Sequence, residues 1–145
     1  MSEPMLRTGV DIVEIHRLEQ VNPAIRARFI RRVYTVGELA DVGETAYPSL
    51  AGRFAAKEAA AKALGTGIGP VRWQDFEIRR GRAGEPVLEL HGRARQISDF
   101  LGLSLWSVSI SHSRDYAVAM VVATGERTNN LEDLARRFNE NTFGQ

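Results

Sequence analysis

The chain has 145 residues, 43% of them hydrophobic and 26% charged, with no cysteine and a formal net charge of +1. That length suits one domain with a real core, and the composition excludes global disorder; the lack of cysteine excludes disulfides, thiolate metal sites and a cysteine nucleophile. No apolar run approaches the roughly 18 residues of a membrane helix, and the first residues show no signal-peptide pattern, so no membrane association and a cytoplasmic protein are expected.

"MLRTGVDIVEI" reads as a strand, with Val10 and Ile12 on one face and Asp11 on the other. "EIHRLEQV" turns helical. Asn22-Pro23 restarts a helix, with Asn as N-cap and Pro at its first position. Ile25, Phe29 and Val33 form its apolar stripe, and Thr35 with Glu38 makes a T-x-x-E capping box for a short helix. "RFAAKEAAAKAL", alanine-rich, is the strongest helix, and "GTGIGP" stops it. "WQDFEIRR" and "EPVLEL" are strands around the turn "GRAGE". "GRARQISDFLG" is a helix, "LSLWSVSIS" and "YAVAMVVA" are strands joined by "HSRD", and "LEDLARRFNENTFGQ" is an amphipathic tail. The order, written β-α-α-α-β-β-α-β-β-α, contains two hairpins and predicts an α+β fold with one antiparallel core and an appended last helix.

The residues that could carry chemistry each have a plain structural alternative. Glu58 and Lys62 lie four apart on one helix face. They form either an ion pair worth about 0.2–0.5 kcal/mol or, among alanines that let other elements come close, the charged lining of a groove for metal or phosphate. "GTGIG" lacks the dinucleotide and P-loop patterns and meets the negative end of a helix dipole, so it is a helix cap unless exposed loop N–H groups and Lys62 favour a phosphate. Asp11 taken alone is a solvent-facing strand residue, and His112 a turn residue. Three histidines without ligand spacing argue against zinc. Ser109, Ser111 and Ser113 lack a hydrolase setting. Arg17, Arg26, Arg28, Arg31 and Arg32 outnumber the single acid Glu19 among them, which makes either a solvated face or a dock for an acidic partner.

"GVDIVEI", "RRVYTVGE", "FAAKEAAAKALGTG", "FEIRRGRAGEPVLELHG" and "SISHSRDYAVAMVV", in that order, resemble the holo-acyl-carrier-protein synthases, the small 4′-phosphopantetheinyl transferases. The resemblance spans about Leu6 to Ala123, and K-E-A-x-x-K-A-x-G-T-G is its most specific block. It implies the 4′-phosphopantetheinyl transferase fold: an antiparallel sheet with one long central helix, a single domain over 1–125, and a helical extension over 126–145. It implies Mg²⁺-dependent transfer of phosphopantetheine from coenzyme A to a serine of an apo acyl carrier protein, releasing adenosine 3′,5′-bisphosphate. By motif position Asp11 and Glu58 would hold the metal and Lys62 would lie beside the phosphates. Glu58 is the candidate base, directly or through a water on the metal.

The resemblance further implies a homotrimer with coenzyme A between subunits. Arg53, Lys57, the loop Gly65-Thr66-Gly67 and His112-Ser113 would line that cleft, from two different chains where needed. Arg17 and Arg28 match the carrier-docking positions. Two departures stand out: Arg7 replaces the earlier glycine of G-x-G-x-D-I, and Tyr34 replaces leucine before Thr35. Two further readings compete. One is a non-catalytic carrier-binding module on the same scaffold. The other is a nucleic-acid binder, disfavoured by the near-zero net charge and the absence of base-stacking motifs.

Overall fold

A computed structural model describes residues 2–128 and 130–143. Strand β1 (Ser2–Glu14) leads into helix α1 (Ile15–Gln20), α2 (Pro23–Val33), α3 (Val36–Val42) and the long α4 (Tyr47–Leu64). A single 3₁₀ turn (Trp73–Asp75) then opens the hairpin β2 (Phe76–Arg80) and β3 (Pro86–Leu90). Helix α5 (Gly92–Leu101), the hairpin β4 (Leu103–His112) and β5 (Tyr116–Thr128), and α6 (Leu131–Phe143) complete the chain. Four helices precede the first hairpin where the predicted order counts three. The extra one exists because Val21 is extended and Pro23 starts a new helix, so α1 and α2 cannot merge.

The main sheet has the order β1-β5-β4, antiparallel throughout, and β2-β3 forms a separate two-stranded ribbon. The α+β class and the antiparallel pairing are as expected. Helix α4 lies across one face of the main sheet. Its alanines 55, 56, 59, 60, 61 and 63 are buried in one core with Ala119, Val121 and Ala123 of β5 and Phe76, Ile78 and Leu90 of the ribbon. Small side chains on both surfaces bring backbone close to backbone. Gly52 meets the Ile110 side chain, and Gly9 on β1 lies under the Ala59 carbonyl. The helix therefore runs from β4 at its N-terminal end to β1 at its C-terminal end. A second core gathers Ile30, Val33, Tyr34 and Leu50 between α2, α3 and α4. The stripe of α2 is turned slightly from the predicted one: Ile30 and Val33 are buried, whereas Ile25 is exposed.

The capping box of α3 is present in both directions, Glu38 N–H to Thr35 Oγ1 and Thr35 N–H to Glu38 Oε1. Strand β5 continues to Thr128, paired with Ser2, so Glu126–Thr128 belong to the sheet rather than to the tail. Asn129 and the last two residues of the tail lie outside the described residues. Arg7 is accommodated beside the end of α4, its guanidinium close to Gly65, where the helix dipole favours a cation. Among the described residues no helix is long and apolar enough to cross a membrane.

Candidate active site

The first strand presents its two faces in the opposite sense from a simple reading. Val10 and Ile12 do share a face, but that face is open, at 58% and 61% exposure. Asp11 points inward with Gly9, toward α4. Lys62, in the last turn of α4, reaches across and donates to Asp11 Oδ1 at 3.2 Å and to the Val10 carbonyl at 2.9 Å. Asp11 is thus no solvated strand residue, and Lys62 pairs with Asp11 rather than along its own helix with Glu58.

Glu58, one turn earlier on α4, is half-buried and accepts from the Trp73 indole N–H at 3.0 Å. Among the described residues neither Asp11 Oδ2 nor Glu58 Oε2 meets a hydrogen-bond donor. Two carboxylates from separate elements, each keeping one oxygen clear, are a hard-oxygen donor set of the kind Mg²⁺ takes alongside phosphate and water oxygens.

Lys57 and Arg53 point elsewhere, toward the β2–β3 ribbon. Lys57 is fully buried. It donates to Glu38 Oε1 at 2.7 Å, to the Phe76 carbonyl at 2.6 Å and to the Trp73 carbonyl at 3.2 Å. Its three donors are spent inside the protein, and burial pulls its pKa below the ordinary lysine value against the pull of Glu38. The expectation that Lys57 binds coenzyme A is therefore corrected: it is an internal strut. Arg53 is nearly buried and donates to the Ile78 carbonyl at 3.2 Å. Burial lowers its pKa, with Glu38 acting in the opposite sense.

The loop after α4 is a helix cap. Gly65 is left-handed at φ 88°, and the N–H groups of Gly65, Thr66 and Gly67 all turn back to the Ala61 carbonyl. They satisfy the helix end instead of facing outward as a phosphate cradle. His112 and Ser113 stand exposed at the β4–β5 turn, which Ser113 closes by accepting the Tyr116 N–H. The register puts His112 opposite Ala117 and Asp11 opposite Ala119, on the two sides of β5. Two strand spacings, about 10 Å, thus separate them across the sheet. Within one chain Asp11 meets Lys62, Glu58 lies one turn earlier on the same helix, and His112-Ser113 and Arg53 stand apart from them.

Arg17 and Arg28 are exposed on α1 and α2. Between these helices and α4 lies an apolar groove of about 370 Å³, floored by Leu18, Phe29 and Phe54 with Arg17 at its edge. A larger cavity of about 1150 Å³, bounded by α5, β4 and α6, contains none of the residues named for the site. Two contributors were missed in the sequence. Trp73 gives no signal, since "WQDFEIRR" reads as a strand. Gly9 gave one, since a glycine inside a strand marks a close approach.

The profile of the 4′-phosphopantetheinyl transferase superfamily matches residues 7–121. A holo-[acyl-carrier-protein] synthase of Herpetosiphon aurantiacus is 47% identical over 128 residues, covering 83% of this chain and all of that one. The holo-[acyl-carrier-protein] synthase of Helicobacter pylori, solved in complex with coenzyme A, superposes with a TM-score of 0.72 at 32% identity, covering 80% of this chain and 98% of that one. The synthase of Neisseria meningitidis superposes equally, at 0.72 and 35% identity, covering 81% and 96%.

Proposed function

The chain belongs to the 4′-phosphopantetheinyl transferase superfamily, and on that premise we propose how its own residues move phosphopantetheine from coenzyme A to a serine of an apo acyl carrier protein. The observation that carries the reading is the meeting of Asp11 and Lys62 at 3.2 Å, with Glu58 one turn away on α4. The serine Oγ attacks the β-phosphorus of coenzyme A, and the bond to the adenosine 3′,5′-bisphosphate leaving group breaks. Glu58 is the base for the serine proton, directly or through a water. Lys62, already held beside Asp11, places its charge against the leaving phosphate. Phosphoryl transfer asks for alignment and charge stabilisation more than covalent help, and that is what these three side chains offer.

Asp11 and Glu58 would hold Mg²⁺ through their clear oxygens. When bound, the ion neutralises pyrophosphate charge and polarises the transferred phosphoryl group.

The assembly is a homotrimer on this reading, with His112-Ser113, Arg53 and the Gly65-Thr66-Gly67 segment contributing to a cleft completed by a neighbouring subunit. Two features support it. The residues separate within one chain, and the outer face of β1 and β5 exposes Leu6, Val10, Ile12 and Met120. An open apolar face of that kind marks an interaction surface. Arg17, at the edge of the apolar groove, and Arg28, exposed on α2, receive an acidic helix of the carrier, setting on-rate and salt dependence. The reaction belongs to the cytoplasm, where a cysteine-free chain loses nothing to reducing conditions.

The test incubates the protein with coenzyme A, Mg²⁺ and an apo carrier protein and follows the carrier's mass. Wild type adds one phosphopantetheine. Asp11→Ala and Glu58→Ala each abolish the gain with the fold intact, and Lys62→Ala slows it on the order of 10²-fold. Full turnover in either carboxylate variant would remove the metal assignment. Carrier binding without any mass gain in the wild type would favour the non-catalytic alternative.

A further inference from the structure

We propose that Trp73 is a positioning residue for Glu58, its indole N–H holding the carboxylate in the orientation the reaction uses. This rests on the role given to Glu58 above.

A glutamate on a helix surface has three side-chain torsions and, without a partner, samples several rotamers. The helix around Glu58 supplies none: its neighbours at 55, 59 and 61 are alanines, and Lys62, four residues on, is turned to Asp11 and the Val10 carbonyl. Among the described residues the Trp73 indole, at 3.0 Å, is the one hydrogen-bond donor to the Glu58 side chain. The type of donor matters. An indole N–H donates without carrying charge and does not titrate. It fixes Oε1 while leaving the carboxylate anionic and Oε2 clear. A lysine or arginine in its place would neutralise the group that must take a proton or a cation.

The tryptophan is itself well held. Its ring packs on Phe54 at 6.3 Å, and the Arg32 guanidinium lies over it at 5.4 Å. Its carbonyl accepts from buried Lys57 at 3.2 Å. The next residue, Gln74, donates to the carbonyls of Arg31 at 2.8 Å and Tyr34 at 3.2 Å, pinning the 3₁₀ turn to the end of α2. Asp75 caps the turn through the Arg72 N–H at 3.2 Å. A ring fixed at both backbone and face can hold a flexible carboxylate, and a polar contact of this outer kind orients a ligand group without touching the substrate.

Trp73→Phe keeps an aromatic ring and removes the N–H. The affinity for Mn²⁺, read by electron paramagnetic resonance with coenzyme A present and no carrier, falls on the order of tenfold, and kcat falls with it. KM for the carrier stays within twofold. Glu58→Ala and the double variant Glu58→Ala/Trp73→Phe bind Mn²⁺ equally weakly, because without the carboxylate the indole has nothing to orient. Should Trp73→Phe fail to fold, benzothienylalanine introduced at position 73 keeps the bicyclic shape, replaces N–H by sulfur and gives the same loss. Wild-type Mn²⁺ affinity in a folded position-73 variant overturns the proposal, as does a further loss in the double variant. The two failures are separable. An inactive Glu58→Ala beside an unaffected position-73 variant overturns the positioning role alone, whereas a Glu58→Ala enzyme with wild-type turnover and Mn²⁺ affinity overturns the reading of Glu58 and this proposal with it.

Discussion

Replacing Gly9 with alanine should disable the enzyme by moving a strand, with no change to any charged group. A Cβ at this position would sit 1.8 Å from the carbonyl oxygen of Ala59, 2.8 Å from its carbonyl carbon and 3.1 Å from the nitrogen of Ala63. All three are helix backbone atoms, so no side chain can rotate away. Opening the shortest contact to 3.0 Å requires β1 and α4 to part by more than 1 Å. Asp11 lies two residues along the same face, and its 3.2 Å contact with Lys62 spans the same gap. A misplacement of about 1 Å at a phosphoryl-transfer site is worth on the order of 10²-fold in rate. The overpacking itself costs about 1–3 kcal/mol. Initial rates of phosphopantetheine incorporation, with thermal melts on the same samples, separate the two effects. Gly43→Ala is the control. Gly43 has φ 83° and ψ 174° and open space around it, so an alanine there is strained by about 1–3 kcal/mol without reaching the site, and kcat should not change. A Gly9→Ala protein that melts lower yet turns over within twofold of wild type would refute the claim that strand–helix spacing sets the site.

Lys57→Met removes one partner of a fully buried ion pair with Glu38. The protein should lose about 3–5 kcal/mol and melt roughly 10–15 °C lower, while KM for coenzyme A in the folded fraction stays at the wild-type value; a raised KM at an unchanged melting temperature would return Lys57 to the cofactor site. Asp41 accepts from Arg79 Nε and the Arg80 N–H, each at 2.9 Å, and these bonds hold its carboxyl down to about 2. A carboxyl depressed on folding stabilises above the unfolded value of about 3.9, and that contribution disappears as pH falls toward the folded value. Urea midpoints of wild type should therefore drop more steeply than those of Asp41→Asn below about pH 4; parallel curves would show that the Arg79 contact adds nothing.

The elements that follow from local rules were legible. Asn22-Pro23, the Thr35–Glu38 box and Gly65 each announce a helix end, and the structure has all three ends. What was not legible depends on which side of an element meets its neighbour. Glu38 completes a capping box by local spacing; the same side chain also accepts from Lys57 and from the Ile78 N–H, in a ribbon 40 residues away that local spacing does not reveal. Lys57 and Glu58 are adjacent in a single specific motif, yet one is an internal strut and the other opens to the site. A motif records that both residues are needed and leaves open whether the need is structural or chemical. Helix phase separates them, because neighbours on a helix point about 100° apart.

The same ambiguity of faces decides how the first strand is read. Alternation of apolar and polar residues identifies a buried face only when one side of the sheet is covered. Here β1 carries apolar residues on the side away from α4 and Gly9 and Asp11 on the side toward it. Val10 lies opposite Met120 and Ile12 opposite Val118, so β5 repeats the pattern and the outer surface is apolar across two strands. A sheet with apolar side chains on both faces, Val121 under the helix and Val10, Ile12 and Met120 outside, makes sense when the outside is also covered. A second subunit supplies that cover on the proposed reading, and it brings its own β4–β5 turn or α4 surface within reach of a site that a single chain leaves one-sided. On that reading β1 is the wall between two subunits, with the exposed Val10–Met120 pair on its outer side and the 3.2 Å Asp11–Lys62 contact on its inner side.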